Sequence, residues 1–125
     1  MGKNVIFEIE PKAKPRMVRS DKWKKRDIVM AYWEWKDWLN THAKIFNYEV
    51  EPILSIRFEM RMPKYWSNKK RERMNGKPCQ KRPDLDNLIK AFKDALCKED
   101  SFVWKYENME KVWAYEGRII VKKTI

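Results

Sequence analysis

The alternation of apolar and polar residues along the chain predicts four strands. They span residues 5–10, 54–61, 103–112 and 118–122. In the second of them, Leu54, Ile56 and Phe58 share one apolar face. The third changes phase near Asn108 and Met109, which indicates a β-bulge, and the fourth follows a turn as an antiparallel partner.

Apolar residues at helical spacing predict two principal helices and a short one. The apolar face of the longest helix, residues 27–46, carries Ile28, Tyr32, Trp35, Leu39 and Phe46. Its tryptophans are expected in the core, with stacking on nucleic-acid bases as the alternative. The second principal helix runs from about Asp86 to Lys98, and a short one, capped by Ser67 or Asn68, is expected over residues 67–74. The pattern predicts an α+β fold in which two principal helices cover a four-stranded mixed sheet, in a single domain of residues 1–125.

The second principal helix and its flanks concentrate the candidate chemistry. Asp84 and Asp86 lie two residues apart where this helix begins. Because residues i and i+2 of an extended chain point the same way, we expect both carboxylates on one side, with Asp86 as the N-cap. Lys90 follows one turn later, and the pair Glu99-Asp100 comes directly after the helix. If the chain folds back at this pair, three carboxylates gather around one point.

Clustered carboxylates repel one another, and a hard divalent cation such as Mg²⁺ relieves that repulsion. Such a metal polarises a phosphate and activates a water, and the ammonium group of Lys90 would stabilise charge that develops on the phosphate. These residues therefore predict metal-assisted phosphodiester hydrolysis. A purely structural interpretation stands beside it. In that interpretation Asp86 caps the helix, Lys90 pairs with Asp86 and Asp94, and Glu99-Asp100 is a solvated loop.

Composition narrows the class of partner. The formal net charge is +11 and the pI is about 9.7, so nucleic acid is expected as the partner ahead of a membrane surface. Basic residues concentrate in residues 12–26 and 63–83, and we expect the second segment to contact DNA and to order on binding. No apolar run reaches the roughly 18 residues of a membrane span, and the N-terminus has no apolar signal core, so a cytoplasmic location is expected.

The residue inventory excludes several chemistries. The chain has one histidine, two cysteines outside any CxxC pattern, and three glycines. These numbers leave no zinc site, disulfide framework or histidine-based triad. They also leave no glycine-rich phosphate loop, so no nucleotide cofactor is expected.

The motif spacing resembles that of the RusA family of Holliday-junction resolvases. The resemblance is dense over residues 81–103 and weaker over nearly the whole chain. The residues that carry it are Lys81-Arg82-Pro83-Asp84-Leu85-Asp86-Asn87-Leu88, Lys90, Asp94-Ala95-Leu96 and Glu99-Asp100-Ser101-Phe102-Val103. Two positions depart from the family pattern: Glu99 replaces an aspartate and Phe102 replaces a polar residue.

The resemblance implies a Mg²⁺-dependent endodeoxyribonuclease, with Mn²⁺ as an alternative metal, that cuts four-way DNA junctions as a homodimer in recombination and repair. Carried over position by position, it makes Asp84, Asp86 and Asp100 metal-binding carboxylates and Lys90 the catalytic lysine. It also places Lys14 and Arg16 near the DNA. With the basic segment, the residues expected to bind DNA are Lys14, Arg16, Lys69, Lys70, Arg71, Arg73, Lys77, Lys81 and Arg82.

Two other functions stay open at this point. One is a nuclease that shares the site but accepts flaps, forks and other branched DNA. The other is a basic nucleic-acid-binding module without catalysis, in which the acidic helix is structural. A substrate panel with and without divalent metal separates the three.

Overall fold

The computed structural model describes residues 3–16 and 27–123, and the strands and helices within these ranges confirm the predicted α+β class. The strands are β1 (Lys3–Phe7), β2 (Ile53–Arg61), β3 (Lys105–Ala114) and β4 (Arg118–Lys123). The helices are α1 (Asp27–Ile45), α2 (Asn68–Met74) and α3 (Leu85–Leu96), and one turn of 3-10 helix, Asp100–Phe102, follows α3. The short helix α2 lies where the sequence predicts it.

The four strands form one mixed sheet in the order β1-β4-β2-β3. β4 is antiparallel, as predicted, but its partners are β1 and β2 instead of the preceding strand. β2 and β3 are parallel, so the chain between them makes a long crossover that contains α2 and α3. The predicted bulge is present in β3, because Leu54 and Ser55 face Tyr106 and Asn108 and leave Glu107 unpaired.

The main core lies where α1 and α3 pack on the sheet. Phe7, Phe58 and Phe92 are among its fully buried side chains. The buried residues of α1 are Val29, Tyr32, Trp35, Leu39 and Ala43. The prediction is therefore correct for Tyr32, Trp35 and Leu39, and wrong at the ends of the helix and for Trp33, which is exposed instead of in the core. Ile28 and Phe46 are exposed, because Val29 and Ala43 take the inward positions one turn before Tyr32 and one turn after Leu39.

A smaller apolar cluster fixes the basic segment 63–83. It consists of Met62, Cys79 and Trp113, with Met60, Trp66 and Met74 packed against it. The backbone of the segment is also bonded to β3, since Gly76 N donates to Trp113 O and Cys79 N donates to Lys111 O, each at 2.9 Å. The expectation that this segment orders only on DNA is therefore wrong. None of the helices within residues 3–16 and 27–123 is long and apolar enough to cross a membrane.

Candidate active site

Helix α3 positions the candidate catalytic residues by burying its opposite face. Its inward side chains are Leu88, Ile89, Ala91, Phe92 and Ala95, none of which is more than 8% exposed. Apolar residues at this spacing hold a helix firmly against a core. Asp86 and Lys90 lie on the remaining, exposed side of the helix. The core therefore sets the direction in which these two charged groups point.

Asp84, and not Asp86, is the N-cap residue of α3. Its backbone is extended, with φ −66° and ψ 148°, and its carbonyl accepts from the amides of Asn87 and Leu88 at 3.1 Å. The helix begins at Leu85, a residue that packs against the main core, so Asp86 already lies in the first turn. The two predictions that Asp86 is the cap and that both aspartates share an extended segment are therefore wrong.

The candidate side chains have no structural partners within the described parts of the chain. Asp84, Asp86, Lys90 and Asp100 are all exposed, and among residues 3–16 and 27–123 none of their side chains takes part in a hydrogen bond or ion pair. The side chain of Asp84 makes no capping bond. Since neither the cap nor the pairing of Lys90 with Asp86 and Asp94 is formed, the purely structural interpretation loses its two main contacts. An interaction of the aspartates with the positive end of the helix dipole is what remains of it.

The residues that the structure describes contain no group of three or more His, Cys, Asp or Glu side chains able to hold a metal ion. The expected gathering of three carboxylates is thus not met in this part of the chain. The reason is the length of α3: twelve residues at 1.5 Å each span about 18 Å, and Asp100 follows the far end. Asp84 and Asp86 lie together at the near end. One or two carboxylates, completed by waters and substrate phosphates, are the usual protein ligands of Mg²⁺, so Asp84 and Asp86 supply the type of oxygen ligand that this ion prefers.

Asp94, on the third turn of α3, joins three elements through ionic hydrogen bonds. Tyr32 Oη donates to its carboxylate at 2.7 Å and Lys36 Nζ at 3.1 Å, both from α1. Lys14 Nζ, from the basic loop after β1, lies 3.8 Å away. Burial raises the pKa of Asp94, but the bonds from Tyr32 and Lys36 and the charges of Lys36 and Lys14 outweigh it, so the pKa lies below its usual value.

The contact with Asp94 raises the pKa of Tyr32, whereas it lowers the pKa of Asp94. Burial, the hydrogen bond to Asp94 and the charge of Asp94 together raise the pKa of Tyr32 far above its usual value, so the hydroxyl stays a donor. This pair was not predictable from the sequence, because the apolar pattern assigns Tyr32 to the core and carries no information about its hydroxyl. The contact of Lys14 with Asp94 places the first basic loop beside α3.

Lys111 of β3 holds the segment directly before Asp84. Its Nζ donates to Pro83 O at 2.6 Å and also to Lys81 O. Two ammonium–carbonyl bonds fix the backbone on which Lys81, Arg82 and Asp84 are carried. Sequence reasoning missed this residue, since its partners are backbone carbonyls 30 and 28 residues away.

The predicted DNA-binding residues divide into two groups. The exposed ones are Lys14, Arg16, Lys69, Arg73, Lys77, Lys81 and Arg82. Lys70 and Arg71 are half-buried and have local contacts: Lys70 Nζ lies 4.2 Å from the centre of the Trp66 ring, and Arg71 Nη2 donates to Pro63 O at 3.2 Å. Ser67 caps α2 as predicted, its Oγ accepting from Lys70 N. Contact of either group with DNA stays a prediction.

Comparison with protein families gives one result. Residues 7–123 match the family model described as Endodeoxyribonuclease RusA. A search of the curated proteins finds no match. The matched range includes all candidate residues, from Lys14 in the first basic loop to Asp100 after α3.

Proposed function

This chain belongs to the RusA family of endodeoxyribonucleases, as the motif resemblance predicted, and from that premise we propose that it cuts four-way DNA junctions by metal-assisted phosphodiester hydrolysis. The observation that carries the proposal is the exposure of the Asp84, Asp86 and Lys90 side chains. All three side chains are exposed and have no partner among residues 3–16 and 27–123, and they lie at the N-cap or in the first half of a helix whose other face is buried. Two carboxylates that lie two residues apart at one helix end repel each other, and a bound cation would relieve that repulsion.

We assign Asp84 and Asp86 as ligands of Mg²⁺, or of Mn²⁺ in its place, with water and phosphate oxygens in the remaining positions. When bound, such an ion polarises the scissile phosphate and lowers the pKa of its water. Asp100 is assigned as a further metal ligand on the family pattern alone. Its position after the far end of α3 gives this assignment no support from the structure.

The residues around the two aspartates orient and stabilise the phosphate. Lys90, one helical turn after Asp86, supplies a positive charge to the oxygens that gain negative charge during cleavage. The N-terminal amides of α3 favour an anion at the same end of the helix. Lys81 and Arg82, whose backbone Lys111 fixes, bind the phosphates that flank the scissile one.

The proposed assembly is a homodimer on branched DNA. A four-way junction has two symmetric cleavage points, and a two-fold dimer presents two identical sites to them. The exposed lysines and arginines of α2 and of the segment after it contact the phosphate backbone, so affinity falls as salt rises. These contacts read shape and charge more than base sequence.

One observation favours the second candidate function, a binding module without catalysis. The described residues hold no three-carboxylate group for a metal. The test is cleavage by the full chain of a labelled four-way junction, a flap, a fork and a linear duplex, each with Mg²⁺ or EDTA. Paired nicks on the junction that require Mg²⁺ support the proposal. Binding without cleavage under Mg²⁺ and Mn²⁺ overturns it in favour of the module, and equal cleavage of all branched substrates keeps the chemistry and broadens the substrate.

A further inference from the structure

A cavity of about 400 Å³ opens beside the segment that leads into α3. Its inner part is apolar, formed by buried Cys79 and Trp113 and half-buried Trp66. Its outer part carries Tyr65 and the cations Arg61, Lys81 and Arg82, all exposed. The volume falls in the range of about 300–1,000 Å³ that small-molecule sites occupy. An apolar interior with a cationic rim suits a flat, partly apolar group attached to an anion.

Tyr65 is the most unusual residue of this lining. It is 86% exposed, more than any other large hydrophobic side chain in residues 3–16 and 27–123, and within these residues its ring and hydroxyl make no specific contact. Its backbone is nevertheless fixed. Trp66 N donates to Pro63 O at 3.2 Å, and the Trp66 ring packs edge-on against Trp113 at 4.9 Å. A rigid turn therefore presents a free aromatic ring to solvent beside the cavity.

The cations of the rim are available to a ligand. The side chains of Lys81 and Arg82 have no partner among the described residues, while Lys111 holds their backbone. Arg61 is 3.4 Å from Glu10 across an exposed ion pair, a contact that contributes little and is easily exchanged. A ligand phosphate would thus meet positive charge without first breaking a strong ion pair.

We propose that this cavity accepts one extruded base of the branched DNA substrate, stacked on Tyr65, with its neighbouring phosphates on Lys81 and Arg82. Nucleic-acid bases stack on aromatic side chains whatever their sequence, and a base at a branch point costs less to extrude than one inside a duplex. Since Arg82 lies two residues before Asp84, a base held here places the adjoining backbone at the start of α3. The inference rests on the proposed function and adds to it a device that separates branched from linear DNA.

The experiment is photocrosslinking of the full chain to a four-way junction that carries 5-iododeoxyuridine at the branch point, in EDTA so that no cleavage occurs. Crosslinks are mapped by mass spectrometry for wild type, Tyr65→Leu and Tyr115→Leu. Tyr115 is the matched control, because it is an exposed tyrosine on the turn between β3 and β4. We expect a crosslink at Tyr65 that is kept in Tyr115→Leu and lost in Tyr65→Leu.

Affinities give a second readout. Tyr65→Leu is expected to weaken junction binding roughly 5- to 150-fold, the loss typical of one stacked base, and to leave duplex binding unchanged. Tyr65→Phe, which keeps the ring, is expected to bind as wild type does. On a junction with abasic branch points, wild type and Tyr65→Leu should bind equally well.

The outcomes for the base site and for the proposed function are distinguishable. A crosslink at Tyr65 in a protein that never cleaves DNA keeps the base site and removes the nuclease. Cleavage of the junction by a protein that gives no crosslink at Tyr65, and whose affinity does not change in Tyr65→Leu, overturns the base site and leaves the nuclease standing. Equal losses of affinity on junction and duplex also overturn it, because they indicate a general contact with the DNA backbone.

Discussion

The hydrogen bond from Tyr32 to Asp94 ties α1 to the helix that carries the candidate active site, and its removal has a calculable cost. The two oxygens are 2.7 Å apart, Tyr32 is fully buried, and the Asp94 side chain is 32% exposed. Tyr32→Phe deletes the hydroxyl and leaves the packed ring in place. Hydrogen bonds to charged groups contribute about 1.5–3 kcal/mol. Because water and Lys36 still solvate Asp94, we expect a loss near the lower end, about 1.5 kcal/mol.

Urea unfolding at pH 7 measures this loss, and thermal unfolding is expected to show a decrease of roughly 5 °C in Tm. Tyr115→Phe is the control, since this tyrosine is exposed, and its change should stay within about 0.5 kcal/mol. The decisive comparison is a double-mutant cycle with Asp94→Ala. Without its acceptor, the Tyr32 hydroxyl is buried and unpaired, so Tyr32→Phe becomes neutral or stabilising in that background. An equal loss in both backgrounds would refute the argument.

Three further predictions concern charge. The pKa of Asp94 is lowered in the folded protein, so the ionised carboxylate stabilises the fold above about pH 4, the usual carboxyl range. This stabilisation is lost as the pH falls through the folded-state pKa. The difference in urea midpoint between wild type and Asp94→Asn should therefore shrink from pH 6 to pH 3. Lys111→Met frees the carbonyls of Pro83 and Lys81, so the segment that carries Lys81, Arg82 and Asp84 is held less firmly and single-turnover cleavage of a saturated junction should slow; an unchanged rate at saturating protein would contradict this. Lys69→Ala removes an exposed cation of α2, and the slope of log affinity against log salt should fall by about one, whereas an unchanged slope excludes a phosphate contact at this position.

Local patterns predicted much of the fold. The period-two alternation of β2 and the apolar face of α3 each reflect burial of one side of an element, which the sequence records directly. Helix α3 begins two residues earlier than predicted, because Leu85 packs against the core. Cap preferences in the sequence do not reveal a tertiary contact of this kind. The position of β4 between β1 and β2 was not predictable either, since adjacency in sequence favours pairing with β3.

In the candidate site, too, local features were predicted from the sequence and tertiary contacts were not. Asp84, Asp86 and Lys90 were found from their spacing and from a family motif, whereas the contacts around them join residues far apart in the chain. Tyr32 and Asp94 are 62 residues apart. Segment 63–83 looked unstructured because its composition is basic and its packing partner, Trp113, comes much later. Composition describes the surface of such a segment and does not show which distant side chains cover its apolar residues.

Asp84 and Asp86, at the start of α3, are proposed to form the metal-dependent centre, and this is the central claim to test. The direct test is the single-turnover rate of junction cleavage in Mg²⁺, at saturating protein, for Asp86→Asn and for Asp37→Asn, an exposed aspartate of α1 outside the site. Asp86→Asn is predicted to lose more than about 100-fold in rate and at most about 1 kcal/mol in stability, while Asp37→Asn cleaves as wild type does. Equal rates for the two variants would contradict the account.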